Sequence, residues 1–528
     1  MNAKTANIIT FIVALLCVAI PCIVIQGQYL VNGNISWLLM AADRLLDGQK
    51  MSEHIYETNP PLSIMIYAPH VLFAKFSGLP LPVASFYVTS LFAVLSVIMV
   101  HAIIKRFPML TDVQRLGFLA CYALSITWIT TVFYADREHL IILGLIPFML
   151  CQFALMQRIT LPRLLIYVVF IIGTLCVLIK PHYGLLPTVF LITRLIKHRK
   201  INFFKEPDFI ILSAMTLLYV AIVFMFFRDY ITVILPDVVT LYANSGGDLF
   251  SILRASQIHM LAYLSVFLFE AFKEDLKKEQ KQLVMFLYGC CLLCLVPYYI
   301  QMKGFYNHLV PAYAFFMIGL SLSIMFRVAG IIKKYAALQI IIPVGCLLSL
   351  SNAISPMNTE FPKSSDIPNL PVAKFLEAEC TKPCTFFSFH GNIEIMNPTA
   401  AMMGYRHGTR FPSLWFLPQI LEGLRSDDSR TREQALQLKM KYLAFVAEDL
   451  DYYKPSVLLI AADLPIGAVP AFNFMEFFGD NPDIRRIINE DYTKTKPFEF
   501  DRVEYFKGTT LEWSYILKYD VYKRISTN

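Results

Sequence analysis

Charge is scarce in this chain of 528 residues: Asp, Glu, Lys and Arg make up 16% of it, against roughly 25% in soluble globular proteins. With 56% hydrophobic residues and a mean hydropathy of +0.55, it is not built for water alone. Glycine-rich phosphate loops of the GxGxxG or Walker type are missing, as are serine and cysteine nucleophile motifs, so nucleotide-driven transport has no support. There is no internal repeat, no low-complexity tract and no lipidation signature. The apolar stretch after Lys4, Asn7 to Gly27, lacks the short core and small-residue cleavage site of a signal peptide, so a retained first span is expected.

What is present is a series of apolar runs, each about 17–25 residues, enough to cross a bilayer core of roughly 30 Å. About eleven spans are expected, at 7–27, 82–104, 113–133, 138–156, 162–179, 183–197, 208–228, 256–272, 282–300, 306–326 and 335–355. The net charge of +7 is no nucleic-acid footprint, because its positive residues sit in alternate short loops. These loops hold Lys105 and Arg106; Arg158 and Arg163; Arg194, Lys197, Arg199, Lys200 and Lys205; Lys273, Lys277, Lys278 and Lys281; and Arg327, Lys333 and Lys334. The positive-inside rule puts them, and the N-terminus, in the cytoplasm. The expected fold is therefore an α-helical polytopic membrane protein, residues 1–355 with a long first outer loop at 28–81. A soluble extracytoplasmic α/β domain follows at 356–528. The expected location is the plasma membrane, the inner membrane of a bacterium, with the C-terminal domain periplasmic.

In the first outer loop, Ile35, Leu38, Leu39, Ala42, Leu45 and Leu46 recur at helical spacing up to Gly48. That pattern predicts an amphipathic helix lying on the membrane surface. Pro61 to Phe76 reads as a surface or re-entrant helix. In the tail, Thr385–Phe389 and Val457–Ala462 read as buried strands and Arg430–Val446 as a helix. Nine of the eleven cysteines fall in or beside apolar spans, where a thiol is a small apolar filler. Cys380 and Cys384 are too few ligands for structural zinc, and a local disulfide is preferred over two free thiols.

Four polar clusters interrupt the apolar pattern, and the topology puts all of them on the outer face. They are Tyr56-Glu57-Thr58-Asn59-Pro60-Pro61, Tyr134-Ala135-Asp136-Arg137-Glu138-His139, Lys180-Pro181-His182-Tyr183 and Lys303-Gly304-Phe305-Tyr306-Asn307-His308. Each alone also fits a snorkelling side chain or a self-paired turn. Together they are complementary: Glu57, Asp136 and Glu138 are candidate bases, and Arg137, Lys180, His182, Lys303 and His308 candidate partners of a phosphate. Carboxylate and cations side by side suit transfer from a phosphate leaving group. His139, His182 and His308 carry no zinc-ligand spacing, so no metal site is assigned. If Lys180 meets a donor phosphate, Lys180→Ala is expected to lower activity and leave stability nearly unchanged.

At these residues the chain resembles the GT-C class of polytopic glycosyltransferases, which includes the protein O-mannosyltransferases of glycosyltransferase family 39 and the lipid A aminoarabinose transferase. Trp37 to Leu62, WLLMAADRLLDGQKMSEHIYETNPPL, is similar to that class's first-loop pattern ending in Pro-Pro. Asp136 to His139 and Lys180 to Tyr183 are similar to motifs of bacterial members. The resemblance implies sugar transfer from a polyprenyl-phosphate donor to an acceptor lipid, glycan or protein, within the lipid bilayer. No nucleic-acid partner and no firm cofactor are implied, and a divalent metal stays open. The class places an Asp just before its first surface helix, as base; here that stretch reads Asn32-Gly33-Asn34, with Asn34 in that place. An amide takes no proton at neutral pH, so Asp136, Glu57 or Glu138 acts instead, or the two patterns are a few residues out of register, or the chain is no active transferase. His139 and Tyr183 are further site candidates. Alternatives are a transporter or flippase of lipid-linked saccharide and a non-catalytic envelope assembly protein.

The orientation has a direct test. A reporter enzyme active only outside the cytoplasm should work when fused after Asn528 and stay silent after Lys200; the reverse result overturns the topology.

Overall fold

The computed structural model describes residues 12–13, 15–27, 32–198, 202–242, 249–332, 335–354, 364–462, 464–466, 469–501 and 516–525. Every expected span from 82–104 onward coincides with one helix: Leu81–Ile104, Asp112–Thr127, Arg137–Met156, Arg163–Ile179, Leu185–Lys197, Pro207–Phe226, Leu249–Phe272, Lys278–Gln301, Val310–Ile331 and Leu338–Ile354. Among the described residues five helices are long and apolar enough to cross a membrane, and further apolar helices are shorter. The chain is a multi-pass membrane protein. Of the expected first span, 12–13 and 15–21 are helical and Cys22–Gln26 forms a π turn, while 7–11 and 14 lie outside the described residues.

The chain folds into two compact units. The first comprises Met1–Gly27, Phe86–Met225 and Gly246–Asn358; the second comprises Gln28–Ser85, Phe226–Ser245 and Thr359–Asn528. Residues 32–81 and 226–242 thus fall in the same unit as the C-terminal region.

In the first unit the apolar windows of Arg137–Met156 and Tyr306–Ile331 are each 89% buried by protein, whereas that of Pro207–Phe226 is 0% buried. The first two are the centre of the bundle, and the last leaves its apolar surface uncovered by protein, as suits a lipid-facing helix. Arg137–Met156 and Arg163–Ile179 approach closely at two glycines. A Cβ on Gly144 would come within 2.5 Å of Cys176 Sγ, and one on Gly173 within 2.5 Å of Phe148. Small residues let helix backbones approach where there is no hydrophobic force to drive them together.

The second unit is built on a six-stranded sheet. Strands β1 (Thr385–Phe389), β2 (Arg406–His407), β3 (Val457–Ala462), β6 (Tyr492–Lys494), β7 (Phe498–Asp501) and β8 (Ile516–Arg524) form it; β4 (Leu464–Ile466) and β5 (Val469–Phe472) make a separate pair. The order is β2-β1-β3-β8-β6, with β7 also on β8. β1 is parallel to β2 and β3, and β8 runs antiparallel to β3, β6 and β7. Ile393–Met403 connects β1 to β2, and Ser429–Tyr453 leads into β3. Cys380 and Cys384 are joined by a disulfide just before β1.

The helix read as lying on a membrane surface, Gly33–Leu46, is instead enclosed by protein: Ile35 to Ala42 and Arg44 are all buried. It packs on Ile393–Met403, Leu62–Met65 and Ala68–Ser77. Two buried arginines bind irregular loops to this core. Arg44 donates to the carbonyls of His54 (3.0 Å), Thr409 (2.6 Å) and His407 (2.5 Å). Arg410 pairs with Asp449 at 2.8 Å and donates to the Ser52 carbonyl at 2.9 Å. Removing one partner of such a pair leaves an uncompensated buried charge. Arg410→Met should therefore destabilise the second unit by about 3–5 kcal/mol, read as thermal unfolding of purified protein. A loss below about 1 kcal/mol would mean the pair behaves as a surface ion pair.

Candidate functional site

Three of the sequence clusters meet in the first unit. Asp136 caps Arg137–Met156, its Oδ1 accepting from the Arg137 N–H at 2.7 Å. The turn before it needs a left-handed backbone at Ala135 (φ 73°), a conformation that L side chains rarely adopt. His139 holds that turn: its Nδ1 accepts from the Ala135 N–H at 3.0 Å. Its Nε2–H therefore donates to the Ile126 carbonyl at 2.7 Å, satisfying an end group of the preceding helix. His139 is thus bound at both ring nitrogens to backbone.

Lys180 follows Arg163–Ile179, the antiparallel partner of Arg137–Met156, and forms an ion pair with Glu138. Its ammonium lies 3.3 Å from His308 Nε2, which is 3.4 Å from Glu138 Oε1. Asn307 donates its amide toward Glu138 Oε2 at 3.3 Å and Asp136 Oδ2 at 3.5 Å. Asp136, Glu138, Lys180 and His308 are all at most 3% exposed. Because Lys180 donates to His308 Nε2, the proton of the neutral ring is on Nδ1, where this buried donor has no protein partner. Tyr183 donates to the His308 carbonyl at 3.3 Å. Burial, and next the charge of Glu138, raises the Asp136 carboxyl above its ordinary range.

The other candidates make different contacts. The His182 ring is 3.3 Å from the Gln301 amide, and burial followed by the Lys180 cation pushes it down to about 4. Lys303 is half-buried on the turn before Asn307, and burial lowers its ammonium to about 8. Glu57 belongs to the second unit, where it accepts from Trp37 Nε1–H at 2.9 Å and from the Asn59 N–H and amide at 3.0 and 2.6 Å. Asn34 is in that unit too, inside the first turn of Gly33–Leu46, whose cap is Asn32. Among the described residues no group of three or more His, Cys, Asp or Glu is arranged to hold a metal ion.

Sequence reasoning passed over Asn307 as a site residue, although it stood beside His308. It also missed Asp237, a buried acid in the second unit that accepts from Tyr56, from Tyr442 at 3.1 Å and from Lys441 at 2.8 Å. A lone acid in the apolar run Thr232 to Tyr242 was the available signal.

No family model and no curated protein matches the chain. Solved structures similar to it include ArnT from Cupriavidus metallidurans bound to undecaprenyl phosphate, at 10% identity over 87% of this chain and 94% of that one, with a TM-score of 0.46. Another is the arabinofuranosyltransferase AftD from mycobacteria, at 13% identity over 99% of this chain, with a TM-score of 0.43; the chain spans 42% of that protein's length. A third is the Archaeoglobus fulgidus oligosaccharyltransferase in its apo form, at 9% identity over 93% of this chain and 79% of that one, with a TM-score of 0.39.

The ion pair changes what Lys180→Ala should do. Stability was expected to be nearly unchanged, but the substitution strands the Glu138 carboxylate in a buried place and should cost about 3–5 kcal/mol. Lys180→Ala combined with Glu138→Gln should recover part of that loss in a thermal melt. Equal melting temperatures for wild type and Lys180→Ala would exclude the pair.

Proposed function

We propose that the chain is a GT-C-like membrane glycosyltransferase. In this reading it moves a sugar from a polyprenyl-phosphate donor to an acceptor hydroxyl on the extracytoplasmic face. The observation that carries the reading is the buried cluster of two carboxylates, a lysine, a histidine and an asparagine at the ends of apolar helices. Buried charges in membrane proteins are expensive and mark function. The first-loop resemblance of Trp37 to Leu62 supports the donor class.

In the transfer, the acceptor oxygen forms a bond to the anomeric carbon while the bond from that carbon to the phosphate oxygen breaks. The phosphate leaves with the electron pair, and the acceptor proton passes to a carboxylate. Glu138 is committed to Lys180, and Glu57 to Trp37 and Asn59. Asp136, with its proton affinity raised by burial, suits the base. Lys180 and the partnerless Nδ1–H of His308 suit the departing phosphate, with Arg137 and Lys303 adding positive charge around it and His182 a neutral hydrogen-bonding ring. Glu138 then acts as the counter-ion that makes a buried Lys180 tolerable before the donor arrives.

The test is incubation of purified protein with radiolabelled polyprenyl-phosphate sugars and membrane extract, where transfer from one donor is expected. Asp136→Asn should lower that rate by about 10²–10⁴-fold with donor binding kept. Normal turnover in this variant, together with loss in Glu57→Gln or Glu138→Gln, moves the base. Absence of transfer from every donor, with net movement of intact lipid-linked sugar across vesicles instead, removes the transferase reading.

A further inference from the structure

The second unit holds a cleft that none of the candidate site residues above lines. It encloses about 600 Å³ between the end of helix Gly33–Leu46, the end of Ala68–Ser77 with the turn after it, and residues 400–407. Small-molecule sites occupy about 300–1,000 Å³.

Its lining combines two kinds of surface. Met40, Met402 and Met403 supply apolar, deformable side chains. Asp43, Asp47 and Lys75 supply an ionic triad of two carboxylates on one ammonium, the Lys75 ammonium lying 2.9 Å from Asp43 and 2.8 Å from Asp47. All three side chains keep more than a third of their surface accessible. Tyr405 and His407 also line the cleft, are 4% and 3% exposed, and leave Tyr405 Oη and His407 Nε2 without a protein partner. Burial and the nearby Arg44 cation push His407 down to about 3, so its ring is neutral. Its Nδ1–H then donates to Asn397 Oδ1 at 3.1 Å, which makes Nε2 a bare acceptor.

Each simple ligand class meets an obstacle here except one. An anion faces the Asp43 and Asp47 carboxylates, and a cation faces Lys75, Arg44 and Arg406. A hydrocarbon would strip water from the ionic triad with nothing to replace it. A neutral ring bearing several hydroxyls lays its C–H face on the methionines while its hydroxyls donate to carboxylates and accept from Lys75. We propose that this cleft is a saccharide-binding subsite that takes a neutral sugar residue. It shares no residue with the ionic cluster of the first unit, so it holds whether or not that cluster is catalytic.

The test uses the full-length protein in nanodiscs and saturation-transfer NMR. The sugar probes are methyl α-mannopyranoside, methyl β-galactopyranoside and N-acetylglucosamine; inorganic phosphate and hexanoate are the counter-probes, the phosphate followed by its own line width. At least one sugar should receive saturation, and Met402→Trp, which fills the cleft, should abolish it. Asp47→Asn with Lys75→Gln alters only accessible side chains, so it gives a second reading in a folded protein, and the signal should again be lost. Silence from all three sugars overturns the proposal. So does a sugar signal undiminished in both variants, or phosphate or hexanoate binding that the variants abolish.

Discussion

A carboxylate held out of water costs several kcal/mol unless a counter-charge meets it. Glu138 is 0% exposed, and much of the first unit's arrangement follows from that requirement. Lys180 must reach it from the end of the neighbouring helix, which the close approach at Gly144 and Gly173 permits. Both carboxylates must start their helix at the right height, which the left-handed turn at Ala135 and the clamp by His139 arrange. Asn307 and His308 then close the group from a third element. A structural ion pair would need only the first two partners. The partnerless donor on His308 and the second acid, Asp136, are what a purely structural pair has no use for.

The second unit solves a related problem with arginine. Residues 47–61 and 404–416 contain little regular structure, so their carbonyls need partners from elsewhere. Arg44 binds three such carbonyls at once and Arg410 joins one to the Asp449 carboxylate, because a guanidinium presents five donors in one plane. Asp237 does the same with opposite sign, drawing Tyr56, Tyr442 and Lys441 onto one carboxylate. Residues distant along the chain are thereby joined into one unit without extending the sheet.

Much of this was legible in the chain. Runs of apolar residues placed ten helices, with ends shifted by up to seven residues, since a span must bury its own backbone polar groups whatever surrounds it. Strands Thr385–Phe389 and Val457–Ala462 were equally plain, being short apolar runs between turn signals. Polar residues breaking the apolar pattern pointed to Asp136, Glu138, Lys180 and His308 before any geometry was known.

Tertiary structure alone decided the rest. A helical stripe of apolar residues reports that something covers Gly33–Leu46, but protein and lipid are alike apolar, and only the packing chose protein. Sequence places a histidine near a carboxylate without saying which atoms meet. His139 went to backbone and His308 to the ion pair because of their heights on different elements. The pairing of Lys180 with Glu138 spans 42 residues. No local pattern encodes that separation, since it is fixed by how two antiparallel helices return to the same end.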